Sequence, residues 1–182
     1  MKSLKAIYII WYRDILRIWR DKARVAGSLA FPLLFLVVFG TGLGSTLGMF
    51  GQGMDYAKFL FPGIIGMTVL MTSFTSGMSI VWDREFGFLK EVLVAPVSRW
   101  VVVVGKVLGG ATVATLQGML ILPFAPLLGV SLTPLLVVEI IPLMLLMASA
   151  LGGLGILIAT RMRSMEAFMV IMNVTMMPMI FL

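Results

Sequence analysis

The chain has 182 residues, of which 60% are hydrophobic and only 12% are charged, a composition that indicates a membrane protein rather than a soluble domain. It contains no cysteine and no histidine, which excludes disulfides and the usual transition-metal ligands and removes the commonest general base. The net charge of +6 is typical of a membrane protein whose cytoplasmic loops collect lysine and arginine, so we expect the lipid bilayer as a partner and no nucleic acid.

Residues 3–24 carry the pattern of an amphipathic helix that lies in the membrane interface. The apolar members of this pattern follow helical spacing: Leu4, Ile7, Tyr8, Trp11, Ile15, Ile18 and Trp19. The basic members, Arg13, Arg17, Arg20 and Arg24, fall on the opposite side. Ile9 and Ile10 break the pattern because they project toward the polar flank. Aromatic residues at the headgroup level beside a basic face are typical of an interfacial helix.

Long uncharged runs then predict an all-α polytopic membrane protein, with a single transmembrane domain over residues 1–182 and about five spans. The predicted divisions are an interfacial helix (1–24), spans one and two (25–82), a polar segment (83–100), spans three and four (101–160), a basic loop (161–167) and an incomplete fifth span (168–182). Span one is expected to end near Gly42, because the glycine-rich stretch that follows disfavours helix. The last apolar segment is shorter than a full span, so we expect the chain to be a fragment.

The basic residues predict the orientation of these spans. Seven lysines and arginines precede the first span, three lie in the polar segment and two in the 161–163 loop, whereas the opposite side has only Lys58. Positively charged loops stay in the cytoplasm, so the N-terminus and the polar segment are expected there, in a cell (plasma or inner) membrane. Lys106 lies just inside span three on the same side, where it could snorkel toward water.

Within the spans, few residues suggest chemistry. Gly105 and Gly109, and Gly152 on the next span, give narrow faces that favour close helix packing within one subunit or between subunits. Glu139 is an acid near the outer end of span four, and an intramembrane carboxylate suggests a substrate or ion path. Gln117 in mid-span is expected to hydrogen-bond a neighbouring helix, with a substrate-path role as the other possibility. No phosphate-binding loop is present, because the sequence around Gly105-Lys106 fails the required pattern.

The polar segment holds six of the chain's 22 charged residues in 18 positions. Its sequence, Asp83-Arg84-Glu85-x-Gly87-x-Leu89-Lys90 followed by Leu93-x-Ala95-Pro96-x-Ser98-Arg99 and Gly105-Lys106, resembles that of type-2 ABC transporter permeases, most of all the daunorubicin-resistance-like, multidrug-exporter branch. The order of helices matches that family over the whole chain. Six spans are usual in the family, so the resemblance implies that the intact protein has one more.

The resemblance implies a transport subunit rather than an enzyme. Two permease subunits, identical or different, would form the translocation path for a drug, lipid or polysaccharide, and separate ATP-binding subunits would hold ATP and Mg²⁺, with no cofactor or metal on this chain. The polar segment would be the coupling helix, with these residues docking to the ATPase: Arg84, Glu85, Phe86, Gly87, Phe88, Leu89, Lys90, Glu91, Leu93, Pro96 and Arg99. Its mixture of apolar and charged side chains is typical of a protein interface.

Two other interpretations remain open from the residues. The polar segment could be a solvated loop that only sets the topology. The chain could also be an ion- or proton-coupled secondary transporter or channel that needs no ATPase, with Glu139 as its proton-carrying acid.

Overall fold

The computed structural model of the chain describes residues 2–48, 56–85, 98–162 and 164–181. The regular elements in these ranges are all helices: α1 (Lys2–Arg20), α2 (Lys22–Gly48), α3 (Tyr56–Glu85), α4 (Arg99–Ile121), two 3-10 turns (Leu122–Phe124 and Pro126–Leu128), α5 (Pro134–Arg161) and α6 (Met165–Phe181). The predicted all-α fold is therefore confirmed. We call the end of the bundle where α3 ends and α4 begins the inner end, and the opposite end the outer end.

Three described helices are long and apolar enough to cross a membrane: Lys58–Glu85, Arg99–Phe124 and Pro134–Arg161. Two shorter apolar stretches accompany them, Val25–Val38 in α2 and Met165–Met179 in α6. Helix α3 contacts α2, α4, α5 and α6 and so lies at the centre of the bundle. The chain is a polytopic membrane protein.

Helices α1 and α2 meet at a bend rather than at a loop. The backbone amide of Asp21 donates to the Arg17 carbonyl at 3.2 Å, and the amide of Val25 donates to the Asp21 carbonyl, also at 3.2 Å. The hydrogen-bond ladder therefore continues through the junction, although the regular helices stop at Arg20 and restart at Lys22.

Helix α2 is longer than the predicted first span. It continues through the glycine-rich stretch to Gly48, so the expectation of a helix end near Gly42 was wrong. Glycine lowers helix propensity in water, but in an apolar environment the backbone has no water to bond, and a helix satisfies its amides and carbonyls internally.

The face of α1 that packs against α4 overlaps the predicted apolar face only in part, since Trp11 of that face donates a hydrogen bond to Thr112 Oγ1 of α4 at 3.0 Å. Ile10, which seemed to break the amphipathic pattern, lies directly over Gly105, where an added Cβ would come within 3.0 Å of it. One turn further along both helices, Asp14 lies over Gly109, so α1 follows the course of α4 in the same direction. The predicted apolar residues Leu4, Tyr8 and Trp19 instead remain exposed. Contact with lipid along this exposed side stays a prediction.

Helices α3 and α5 approach each other backbone to backbone through glycines. A Cβ added to Gly77 would lie 2.6 Å from both the carbonyl carbon and the carbonyl oxygen of Gly155. The predicted packing glycine, Gly152, also faces α3, but a Cβ there would meet Ser76 Oγ at an ordinary contact distance of 3.6 Å. The close approach of these helices therefore depends on Gly77 and Gly155 rather than on Gly152.

Helix α3 carries a series of hydroxyl side chains, from its middle toward its inner end, that bond to their own backbone. Thr68 and Ser73 donate to the carbonyls four residues earlier, at 2.8 and 2.6 Å. Thr75, Ser76 and Ser79 donate to the carbonyls three residues earlier, at 2.6–2.9 Å. These bonds satisfy the hydroxyls without a partner helix.

Candidate functional site

A cluster of charged residues joins α1, α3 and α4 at the inner end. We call it the inner junction and define it as Arg13 and Asp14 of α1, Asp83 of α3 and Lys106 of α4. The Lys106 ammonium lies 3.0 Å from Asp83 Oδ2 and 3.7 Å from Asp14 Oδ1. A buried charge is tolerated only when it is paired and hydrogen-bonded, and Lys106 has partners on both other helices.

Lys106 is only 3% exposed. The expectation that it would snorkel toward water was therefore wrong, because α1 covers this face of α4. A third partner comes from α3, since the ammonium also donates a hydrogen bond of 2.9 Å to Ser79 Oγ. The amine is thus held within the protein rather than at its surface.

Asp14 reaches Lys106 because Gly109 beneath it has no side chain, which lets α1 approach α4 closely. Burial raises the pKa of the Asp14 carboxyl above its usual range, and the nearby charges of Lys106 and Arg13 oppose that rise. The same carboxylate lies 3.8 Å from the Arg13 guanidinium. Asp14 is therefore an acid held in place by two cations.

Helix α1 also contacts the end of α3 directly. Arg13 donates to Asp83 Oδ2 at 3.5 Å, and the Arg17 guanidinium lies 4.9 Å from the centroid of the Trp82 ring. Cation–π contacts of this kind stabilise by about 0.5–1 kcal/mol at exposed sites. The predicted polar face of α1 is therefore in contact with α3 at these two arginines.

Arg84, a predicted docking residue, is bonded within the bundle. Its guanidinium donates to the carbonyls of Met162 at 2.8 Å and Thr160 at 3.2 Å, at the end of α5. The last carbonyls of a helix have no partner within the helix and attract cations. Arg84 thus connects the inner ends of α3 and α5.

We expect Arg84→Ala to loosen the end of α5. A cation at a helix C-terminus typically contributes 0.3–1 kcal/mol, so amide hydrogen exchange over residues 159–162 should become about twofold to fivefold faster. Hydrogen exchange with mass spectrometry on the purified chain would measure this. Arg99→Ala, at the exposed start of α4, is the matched control, and equal exchange rates in the two variants would contradict the role of Arg84.

The other predicted docking residues lie at or beyond the described helix ends. Glu85 is the last residue of α3 and Arg99 the first of α4, and both are exposed. The remaining members lie outside the described residues: Phe86, Gly87, Phe88, Leu89, Lys90, Glu91, Leu93 and Pro96. The inner junction lies on the two helices that flank this segment, with Asp83 two residues before the end of α3 and Lys106 seven residues after the start of α4.

A polar cavity of about 80 Å³ extends from the inner junction toward the middle of the bundle. Its lining includes Asp14, Ser28 of α2, hydroxyls of α3 and, on α4, Gln117. Thr72 donates a hydrogen bond to the Gln117 side-chain carbonyl, as expected for a mid-span amide beside a neighbouring helix. Glu139 is exposed in the second turn of α5 and is not among the residues lining this cavity, so the structure does not bring the two predicted path residues together there.

The sequence reasoning missed Asp14 and the Asp83–Lys106 pair. A signal was available, because Lys106 is the one charge in a long apolar run and Asp14 is one of only two acids, with Asp21, in the arginine-rich segment 3–24. An isolated charge in an apolar segment requires a partner, but nothing in the sequence indicated that α1 would cover it.

Comparison with known proteins identifies relatives. The family described as ABC-2 type transporter matches residues 5–182. The ycf38 transport permease of Pyropia yezoensis is 33% identical over 122 residues, which cover 65% of this chain and 42% of that protein. The inner membrane transport permease YadH of Escherichia coli K12 is 30% identical over 120 residues, 64% of this chain and 46% of that protein.

A shorter match involves a protein of Escherichia coli K12 named as a multidrug ABC transporter permease, YbhR, which is 31% identical over 74 residues, 40% of this chain and 20% of that protein. The chain matches less than half of the length of each of these relatives. No solved structure matches the chain.

Proposed function

Because the chain belongs to the ABC-2 type transporter family, we propose that it is the membrane-spanning permease subunit of an ATP-driven exporter. The observation that carries this proposal is the family match over residues 5–182. We propose that ATP and Mg²⁺ bind in a separate ATP-binding subunit and that this chain itself is not an enzyme. A second permease subunit, identical or different, would complete the translocation path.

The segment between α3 and α4 is proposed to be the coupling helix, which docks into the ATP-binding subunit. Helix α3 ends at Glu85 and α4 begins at Arg99, and the Asp83–Lys106 ion pair joins the two helices two residues before the first of these points and seven residues after the second. A force on the segment would therefore act on α3 and α4 together. The bonds of Arg13 to Asp83 and of Arg84 to the end of α5 would pass the movement on to α1 and α5.

The orientation is proposed from the positions of the basic residues. Arg84, Arg99 and Arg161 all lie at helix ends on the inner side, as does the basic face of α1 where Arg13 contacts Asp83. Cytoplasmic ends of membrane proteins collect such residues. We therefore propose that the inner end and the N-terminus are cytoplasmic in a cell membrane.

The substrate is proposed only as a class. YbhR is named as a multidrug permease, which makes drug-like amphiphiles the first candidates, with lipids and polysaccharides as the others.

The experiment that tests the function is transport into inside-out membrane vesicles that contain the chain and the ATP-binding subunit of its own operon or host. Uptake that requires ATP hydrolysis is the expected result. Uptake that proceeds without ATP and stops when a protonophore is added would favour a proton-coupled transporter and contradict the proposal.

We expect Glu85→Arg to uncouple ATP hydrolysis from transport. This residue is exposed at the point where the coupling segment leaves α3, and reversal of a rim charge disturbs a docked interface without unfolding the protein. ATP hydrolysis and transport, measured on the same vesicles, should show hydrolysis retained and transport reduced several-fold.

Glu166→Arg provides the matched control, because Glu166 is an exposed carboxylate in the first turn of α6. Transport by the Glu85→Arg variant at the level of this control would contradict the docking assignment. Arg84 is a poorer test residue, since its substitution also removes the bonds to the end of α5.

A further inference from the structure

An apolar groove lies between the α1–α2 bend and the exposed side of α4. Its volume is about 590 Å³, within the range of roughly 300–1,000 Å³ that is usual for sites holding small organic molecules. One wall comes from the bend and the start of α2, and the other from α4. This groove is separate from the inner junction and has no part in the proposed coupling.

Each wall follows one face of its helix. On α2 the lining residues Lys22, Val25 and Leu29 are spaced by three or four residues, and on α4 Val113, Leu116 and Leu120 repeat that spacing. Two turns of helix rise about 10 Å, so the groove is elongated along the helix axes. Leu116 and Leu120 are 45% and 49% exposed, which leaves the groove open along its side.

The groove is charged at one end only. Lys22 is exposed at the start of α2, and Trp19 lines the groove beside it on the other side of the bend. Lys22 makes no ion pair within the described part of the chain, and the neighbouring Asp21 is not among the lining residues. Helix α2 runs from this point to the outer end, where Leu36 packs in a cluster with Phe61, so the charged end of the groove is its inner end.

We propose that this groove binds one anionic phospholipid of the inner leaflet, with an acyl chain between α2 and α4 and the phosphate at Lys22. A cation and an indole at one end of an apolar groove complement a molecule that has one charged end and an apolar tail. Lysine and tryptophan are the side chains that commonly lie at the headgroup level of a membrane.

Helix α5 of a second copy of the chain fits the groove less well. Glu139 is an exposed acid on an apolar helix face, but it lies in the second turn of α5 at the outer end. Lys22 lies at the inner end of the groove. Two copies inserted in the same orientation could therefore not pair these two charges.

Native mass spectrometry of the full-length purified chain tests the proposal. The chain is mixed with equal amounts of dioleoyl phosphatidylglycerol and dioleoyl phosphatidylcholine, which have the same acyl chains and differ in net charge. We expect one phosphatidylglycerol to be retained in preference, and Lys22→Gln to lower the ratio of the two bound lipids by about fivefold. Lys5→Gln removes the same charge from an exposed site on α1 outside the groove and should leave the ratio unchanged.

A second pair of variants tests the acyl site. Leu116→Trp fills the groove from α4 and Ala26→Leu fills it from α2, so each should reduce retention of both lipids. One filling variant is placed on each wall, so the test can still be read if one of the two variants misfolds. An unchanged lipid ratio in Lys22→Gln, or unchanged retention in a folded filling variant, would overturn the proposal. A dimer that dissociates when the groove is filled would show that a second copy is the occupant and would also overturn it.

Discussion

Replacing Lys106 with methionine is expected to destabilise the bundle by about 3 kcal/mol, because it leaves the carboxylates of Asp14 and Asp83 without their shared cation. Removing one partner of a buried ion pair typically costs about 3–5 kcal/mol, and we take the lower value since both carboxylates keep some contact with water. For a chain of this size, such a loss lowers the Tm by roughly 10 °C. Thermal unfolding in detergent, followed by size exclusion, measures the effect.

Two further variants isolate the cause. Lys5→Met changes an exposed lysine on α1 in the same way and should leave the Tm unchanged. Adding Asp83→Asn to Lys106→Met removes one of the two carboxylates that lack their cation. It should therefore recover part of the lost stability. A double variant as unstable as Lys106→Met, or more unstable, would show that the missing charge pairing is not the reason. In the vesicle assay we expect Lys106→Met to lose transport, since the ion pair that joins α3 and α4 near the coupling segment would be absent.

The second large effect is expected from Gly77→Ala. A methyl group at this position would lie 2.6 Å from the backbone of Gly155, and a backbone cannot rotate away as a flexible side chain can. Overpacking of this kind costs about 1–3 kcal/mol, whereas alanine gains only about 1 kcal/mol over glycine in helix propensity. The clash therefore outweighs the propensity, and we expect a lower Tm and a lower yield of folded protein.

Gly153→Ala is the matched control for this prediction. Gly153 is on α5, two residues from Gly155, and an added Cβ there meets nothing within 4 Å. The same substitution should then be neutral or stabilising by up to about 1 kcal/mol, because only helix propensity changes. A Gly77→Ala variant as stable as Gly153→Ala would refute the close approach of α3 and α5.

The fold was predictable because its signal is local. Uncharged runs of about 20 residues mark spans wherever they occur, and the charged residues between 83 and 100 had to lie between two of them. The end of α2 was not predictable from glycine content, because the propensity scale comes from helices in water and not from an apolar environment.

The candidate site was predictable only in part, because its contacts join distant parts of the sequence. Lys106 is conspicuous as a charge in an apolar run, but its partners Asp83 and Asp14 lie far away in the sequence, and the contact with Asp14 depends on α1 lying along α4. The spacing of Gly105 and Gly109 predicted that they are packing residues. It did not indicate that α1 is the helix packed against them. The same spacing of small residues is present at Ser73 and Gly77 on α3, but it was not recognised as a packing motif because its first member is serine rather than glycine.

The hydroxyl groups along α3 have a mechanical consequence. A side-chain hydroxyl that bonds a carbonyl of its own helix weakens the backbone bond to that carbonyl and makes the helix easier to bend. Five such bonds lie between Thr68 and Ser79. We therefore expect a push at Glu85 to bend α3 within this stretch, part of which lines the polar cavity.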